Sequence, residues 1–309
     1  MSGGRPRLSW AVAVAKGRRL VVFCVLLGAF SIIVPDATRP PAEVALIKLE
    51  KAHGLDAHDN VIWFLALGSD ARPGQPVVRS RSDAIQLVGV NVKTHHAVTI
   101  GIPRDSYVSI PGSGNNKINA ALVFGGPELT ARAVQGLTGI RADYVFITSF
   151  RGVKRMVNGI KGVKVKVSYP MNDLNQRFRP GLRTLNGTEA LAFARIRHGL
   201  PRGDFDRSMD QGQLLKGGLK TIAGKQGRIG FVERALGYFA RSTDTNIGPA
   251  ELYRLSRAVL EVNPALVRIC VLRGGTGTAG GASVVFPDVA AARGLGQDVR
   301  RDATVDRGC

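Results

Sequence analysis

Four short segments carry acids, arginines and an amide at spacings suited to holding a polyanion. In GSDAR (68–72), Asp70 directly follows a continuous apolar run, VIWFLALG. Ligand sites in open α/β sheets lie at such strand ends, although a turn aspartate capping backbone amides has the same appearance. In RSRSDAI (79–85), Asp83 stands two residues after Arg81. Two carboxylates that converge in space can hold Mg²⁺, a hard cation that prefers a few carboxylates together with substrate phosphate oxygens. In IPRDSYVSIPG (102–112), Arg104 and Asp105 end a second apolar run, and Lys117 follows near the start of a helix. A cation there opposes the helix dipole, which makes better sense if an anion also binds.

The fourth segment, LAFARIRHGLPRGDFDRSMDQGQLL (191–215), is the most informative. If ARIR is extended, its period of two puts Arg195 and Arg197 on one face; a helix would separate them by about 200°. After the Gly-Leu-Pro-Arg-Gly turn, Asp204 is positioned to cap a new helix. On that helix Arg207 and Gln211, four residues apart, share a face. Arginine suits phosphate because its planar fork donates two parallel hydrogen bonds. The alternative is a solvated basic surface, which does not explain why the arginines end an alanine-rich apolar segment. GGTGTAGG (274–281) lacks the Lys-Ser/Thr of a phosphate-binding loop and reads as a plain loop. His95, His96 and His198 lack metal-ligand spacing; the first two read as turn residues, and His198 is a candidate for lining the site.

The elements needed to position these residues follow from the apolar pattern. Residues 61–68, 84–92 and 97–102 read as buried strands. Residues 116–139 have helical spacing broken at Gly125-Gly126-Pro127, which predicts two helices. DYVFITSF is a strand, RGVKRMVNGI a helix and GVKVKVSYP an alternating strand; helices follow from about Asn186 and from Asp204 to Ile222. Strands alternating with helices indicate an α/β sandwich. Residues 223–309 add a helix, ELYRLSRAVLEV, and a strand, LVRICVL.

Residues 1–19 are basic and free of acids, and Leu20–Val34 is an uncharged apolar run of fifteen. That is short of the roughly 20 residues of a full span and matches the core of a signal peptide. The proline-laden segment after Val34 lacks a small-x-small cleavage site, which favours an uncleaved signal anchor with its basic flank inside and the rest exported. The organisation expected is a tail (1–19), an anchor (20–34), a linker or short helix (35–60), a main domain (61–222) and a C-terminal extension packing on it (223–309). Cys24 sits in the apolar run, leaving Cys270 and Cys309 to pair in an oxidising compartment or to remain thiols. Lys and Arg number 43 against 23 acids, a net charge of +20, which favours anionic partners. Nucleic acid is disfavoured: aromatics are only 6%, no DNA- or RNA-binding signature is present, and the export signal argues against it.

In order over residues 61–220, GSDAR, RSDAI, IPRDSYVSIPG, KINAA, ADYVFITSF, GVKVKV, LNGTEALAFARIRHG and GDFDRSMDQ resemble the LytR–CpsA–Psr family of cell-wall enzymes. The resemblance implies a three-layer α-β-α domain with a central mixed sheet that binds a polyprenyl pyrophosphate in an apolar tunnel; the single transmembrane helix expected before it, in the cell membrane with the catalytic domain extracytoplasmic, fits that family. It implies Mg²⁺-dependent transfer of a polyprenyl-pyrophosphate-linked glycopolymer to a peptidoglycan sugar hydroxyl. Carried over by motif, Asp70 and Asp83 are the Mg²⁺-linked acids. Arg81, Arg104, Arg195, Arg197, Arg207 and Gln211 grip the pyrophosphate, and Lys117 lies close by. Asp70, Asp83 and Asp105 compete as proton acceptor. Departures fall in the loop RPGQPVVRS and between Arg207 and Gln211. A hydrolase using water at the same site, and a non-catalytic membrane-anchored binding module, are the rival readings.

Overall fold

A computed structural model describes residues 42–53, 60–173, 175–225, 239 and 243–309. The basic tail, the Leu20–Val34 anchor and Cys24 lie outside them. Among the described residues no helix is long and apolar enough to cross a membrane.

In chain order the strands and helices are β1 (Val44–Lys48), β2 (Val61–Ser69), β3 (Ser82–Asn91), β4 (Ala97–Gly101), β5 (Tyr107–Ile110), β6 (Gly114–Lys117) and α1 (Ala121–Thr138). Next come β7 (Tyr144–Ser149), α2 (Phe150–Gly159), β8 (Val163–Val167), β9 (Met171–Asp173), β10 (Gln176–Phe178), β11 (Gly181–Leu185), α3 (Gly187–Arg195) and α4 (Asp204–Ala223). The chain ends with β12 (Thr243–Thr245), α5 (Pro249–Leu260), β13 (Val267–Val271), β14 (Gly274–Ala279), β15 (Ala282–Pro287) and α6 (Val289–Val299).

The central sheet runs β12-β1-β7-β2-β3-β4-β13. It is mixed: β2 runs parallel to β7 and antiparallel to β3, and β13 joins β4 in parallel. Alternation along β2 shows how its two faces are covered. Val61, Trp63, Leu65 and Leu67 enter one core with α1 and α6, whereas Ile62 joins the opposite core with α5. Both faces are buried, so the strand is apolar throughout, as its sequence suggested. Gly89 lies opposite Trp63 on β3, and a Cβ there would meet the indole ring at 2.6 Å.

Several expectations need correction at the edges. The 35–60 segment, expected as a linker or short helix, contains β1, which pairs with both β7 and β12. Residues beyond 222 do not merely pack on the domain: β12 and β13 are the two outer strands of its sheet. GVKVKV alternates as expected, but β8 pairs only with β11 in a separate two-stranded ribbon. GGTGTAGG is not a plain loop; it forms β14 and the turn that leads into its hairpin partner β15. The break in α1 falls where expected, with Gly125 and Gly126 non-helical and Gly126 at a positive φ of 67°. Cys270 and Cys309 form a disulfide that ties the C-terminal tail to β13.

Candidate functional site

The site forms where β2 and β4 end and β3 begins, beside the junction of α3 and α4. A register shift between Gly68 and Ser69 ends the β2–β3 ladder, and Asp70 then donates its backbone N–H to the carbonyl of Arg81 at 2.9 Å. Arg81 immediately precedes β3 and Asp83 is its second residue, and both line the same cavity. Beyond β4, the Arg104 carbonyl accepts from the Asn119 amide at 3.2 Å and the Ser106 carbonyl from Ile118 at 2.8 Å. These bonds hold the Arg104–Asp105 turn against the start of α1.

Asp83 is the hub. One carboxylate oxygen accepts from Arg104 Nη1, and the other lies 4.0 Å from Arg195 Nε. Asp105 takes Lys117 Nζ at 3.1 Å. Burial opposes the charge on Arg104, but Asp83 and Asp105 outweigh it and raise its pKa further above the arginine value. Burial raises the Asp70 carboxyl, and the like charge on Asp83 raises it again.

Arg195 and Arg197 do converge, though not through an extended ARIR. A complete capping box at Asn186 and Glu189 starts α3. Arg195 is its last residue, with its guanidinium carbon 4.4 Å from the centre of the Phe150 ring. Ile196 leaves the helix at ψ 132°, and this change of direction brings Arg197 to the cavity that Arg195 lines. Asp204 is not the cap of α4. Gly203 holds that position without a side-chain bond, and the Asp204 carboxylate pairs with Arg207 one turn on. Arg207 is only 3% exposed. Burial lowers its pKa and raises that of Asp204, outweighing their mutual attraction.

These side chains line two adjoining cavities. One, of about 180 Å³, is bounded by Asp83, Arg104, Asp173, Arg195, Arg197, His198 and Arg207. Four guanidinium groups face two carboxylates there, a surplus of positive charge that selects an anion. The other, of about 500 Å³, carries Asp70, Arg81, Asp105 and Lys117 and shares Asp83, Arg104 and Arg197 with the first. Ten of the eleven residues singled out from the sequence meet here, His198 among them. Gln211 does not: its amide nitrogen donates to the carbonyls of Asp83 at 3.3 Å and Ala194 at 3.0 Å. Its oxygen accepts from Gln86 Nε2 at 3.4 Å, so the side chain fastens α4 to β3 and to the end of α3 instead of facing a ligand. Sequence reasoning missed Gln86, Asp173 and the hairpin residues Ala279, Ala282 and Val284 that wall the larger cavity.

Among the described residues no group of three His, Cys, Asp or Glu side chains is arranged to hold a metal ion. The donor set is therefore two carboxylates, Asp70 and Asp83, whose repulsion a cation would relieve. It fits Mg²⁺ provided that substrate phosphate oxygens complete the shell.

The sequence model of the LytR_cpsA_psr family matches residues 40–297. The chain belongs to that family. A curated relative, the polyisoprenyl-teichoic acid–peptidoglycan teichoic acid transferase TagU of Bacillus anthracis, is 32% identical over 197 residues, 63% of this chain and 64% of that protein. The regulatory protein MsrR of Staphylococcus aureus is 33% identical over 173 residues, 55% of this chain and 52% of that protein. The match thus spans less than two thirds of the length of these relatives. Among solved structures, TagV of B. subtilis aligns with a TM-score of 0.68 at 25% identity, over 81% of this chain and 100% of that one. TagT bound to LIIa-WTA aligns with a TM-score of 0.65 at 25% identity, over 79% and 91%.

Proposed function

We propose that this family member transfers a glycopolymer from a polyprenyl-pyrophosphate carrier to a peptidoglycan sugar hydroxyl, outside the cytoplasmic membrane. The observation that carries this reading is the meeting of Asp70, Asp83 and the arginines of three separate segments in one cleft with surplus positive charge. The names of relatives agree: TagU is a teichoic acid transferase acting between a polyisoprenyl carrier and peptidoglycan, and TagT has been solved with LIIa-WTA. The Cys270–Cys309 disulfide suits an exported domain, and the Leu20–Val34 run suits a signal anchor.

In the reaction the acceptor oxygen attacks the phosphorus bearing the glycan, and the bond from that phosphorus to the bridging oxygen of polyprenyl phosphate breaks. Such chemistry is mainly positioning and charge neutralisation. Arg104, Arg195, Arg197 and Arg207 neutralise charge on the transferring and leaving oxygens, with Arg81 and Lys117 guarding the larger cavity. Mg²⁺ held by Asp70 and Asp83 would supply Lewis-acid neutralisation of the diphosphate. Among Asp70, Asp83 and Asp105, the latter two have cations within ion-pair distance. Asp70 has no such partner among the described residues, and a carboxylate of this trio takes the hydroxyl proton.

The test incubates the purified chain with Mg²⁺, a polyprenyl-pyrophosphate-linked glycan and peptidoglycan oligomers. A glycan–peptidoglycan phosphodiester is expected, and Arg197→Ala, whose side chain borders both cavities, should abolish it while leaving the unfolding transition unchanged. Release of free glycan phosphate alone, with or without peptidoglycan, would identify a hydrolase. Tight carrier binding with no turnover would identify a binding module.

A further inference from the structure

The β8–β11 ribbon stands apart from the central sheet and carries a basic outer face. Val163, Val165 and Val167 point into a core with α3, while Lys164 and Lys166 point outward. Cross-strand partners share a face. Lys166 lies opposite Leu182 and Lys164 opposite Thr184, so the outward face sets two lysines beside a leucine that is 64% exposed. Tyr169, just past β8, is also exposed, as are Arg177, Arg179 and Arg183 further along the chain, Arg183 standing opposite Val165 on the other face of the ribbon. None of these five cations has a carboxylate within ion-pair distance among the described residues. From Lys161 to Leu185 the chain has one acid, Asp173, and it lines the smaller cavity.

We propose that this ribbon is a peripheral docking surface for anionic lipid headgroups, which holds the domain with its cleft toward the bilayer. The proposal rests on the membrane reading above. Charge complementarity names the occupant class, because unpaired Lys and Arg are drawn to the negative surface of an anionic leaflet. The apolar and amphipathic side chains narrow it. An exposed leucine amid lysines gains nothing from a soluble polyanion, whereas at a bilayer it enters the headgroup–acyl boundary, and tyrosine favours that same depth. The ribbon also leads directly into β9, whose Asp173 borders the arginine cavity, so docking here would bring a membrane-embedded diphosphate close to its clamp.

The experiment uses the full chain with Leu182→Trp, subtracting the fluorescence of the parent for Trp10 and Trp63. Vesicles are phosphatidylglycerol or phosphatidylcholine with brominated acyl chains. Quenching of the new tryptophan is expected in phosphatidylglycerol and not in phosphatidylcholine, and it should vanish at 1 M salt, where the screening length falls to about 3 Å. Adding Lys164→Gln and Lys166→Gln should shift the docked-to-undocked ratio about fivefold per lysine, roughly twenty-five-fold together. Equal quenching in both lipids, or none in either, overturns the proposal. So does an emission shift caused by soluble polyphosphate without bromolipid quenching, which would mark a polymer track. Failure of the anchor reading is separate: the chain would stay out of phosphatidylcholine vesicles, yet anionic vesicles must still quench the tryptophan.

Discussion

Gln211 is the residue whose role differs most between motif and structure, and Gln211→Leu separates the two. As a ligand-gripping amide it would be lost with no effect on stability. As placed, it makes three hydrogen bonds, one buried and two half-buried: from Gln86, and to the Asp83 and Ala194 carbonyls. Gln86 also donates to the Ser208 carbonyl at 2.9 Å and accepts from Thr99 at 3.0 Å, so the substitution cuts into a network joining β3, β4, α3 and α4. Each such bond contributes about 1 kcal/mol net, less for the two at 3.3 and 3.4 Å, and the stranded carbonyls add their desolvation, giving a loss of roughly 2–4 kcal/mol. Leucine has a similar volume, so little of this arises from a cavity. Urea unfolding followed by circular dichroism measures it, with the slope unchanged if the unfolded state is unaffected. Carrier affinity should fall only as far as the shifted Asp83 and Arg195 allow. A stability change below about 0.5 kcal/mol accompanied by complete loss of carrier binding would refute the positioning role, since surface changes stay within that range.

Other consequences concern separate parts of the molecule. Replacing Cys309 with serine opens a link spanning 39 residues, which on chain-entropy grounds lowers stability by about 4 kcal/mol; a melting temperature unchanged from that of the oxidised parent would count against it. Asp210 is buried near Asp206, and burial first, then that neighbour, pushes its pKa up to about 7. The folded state therefore keeps a proton that the unfolded chain gives up near pH 4. Stability should fall as pH rises from about 4 to 7, with the full penalty present above pH 7 and of order 4 kcal/mol. Asp210→Asn should flatten that dependence and raise stability at pH 8, as read by urea titrations across pH; a parent whose stability rises through the window would contradict it. Arg195→Lys keeps the charge but loses the planar stack on Phe150, so KM for the carrier should rise roughly fivefold, about 1 kcal/mol. An unchanged KM would mean that the stack does not orient Arg195.

What could be read from the sequence follows from where the physical signal is local. β2, β3 and β4 were legible because strands buried on both faces must be continuously apolar. β1 was not, since VALIK within AEVALIKLE has equally good helical spacing and only pairing with β7 makes it a strand. β12 has three residues, too few for any period, and takes its place because its carbonyls and amides find β1. The acids and arginines were legible as types that need a partner. Which of them face a ligand was not, because that depends on whether each donor is already used inside the fold. Arg207 and Gln211 show the difference. They are neighbours on one face of α4, yet Arg207 reaches the cavity while Gln211 is used up by backbone carbonyls.

The same logic explains how Arg195 and Arg197 serve one cavity despite their spacing. A continued helix would have sent them to opposite sides, and a strand could not have followed the capping box that starts α3 at Asn186. Ending the helix on Arg195 and letting Ile196 turn out of it satisfies both constraints. Ile196 itself is fully buried in the core beneath β8 and α3, so the turn between the two arginines is pinned by packing. The apolar residue between two charged ones thus determines where both of them point.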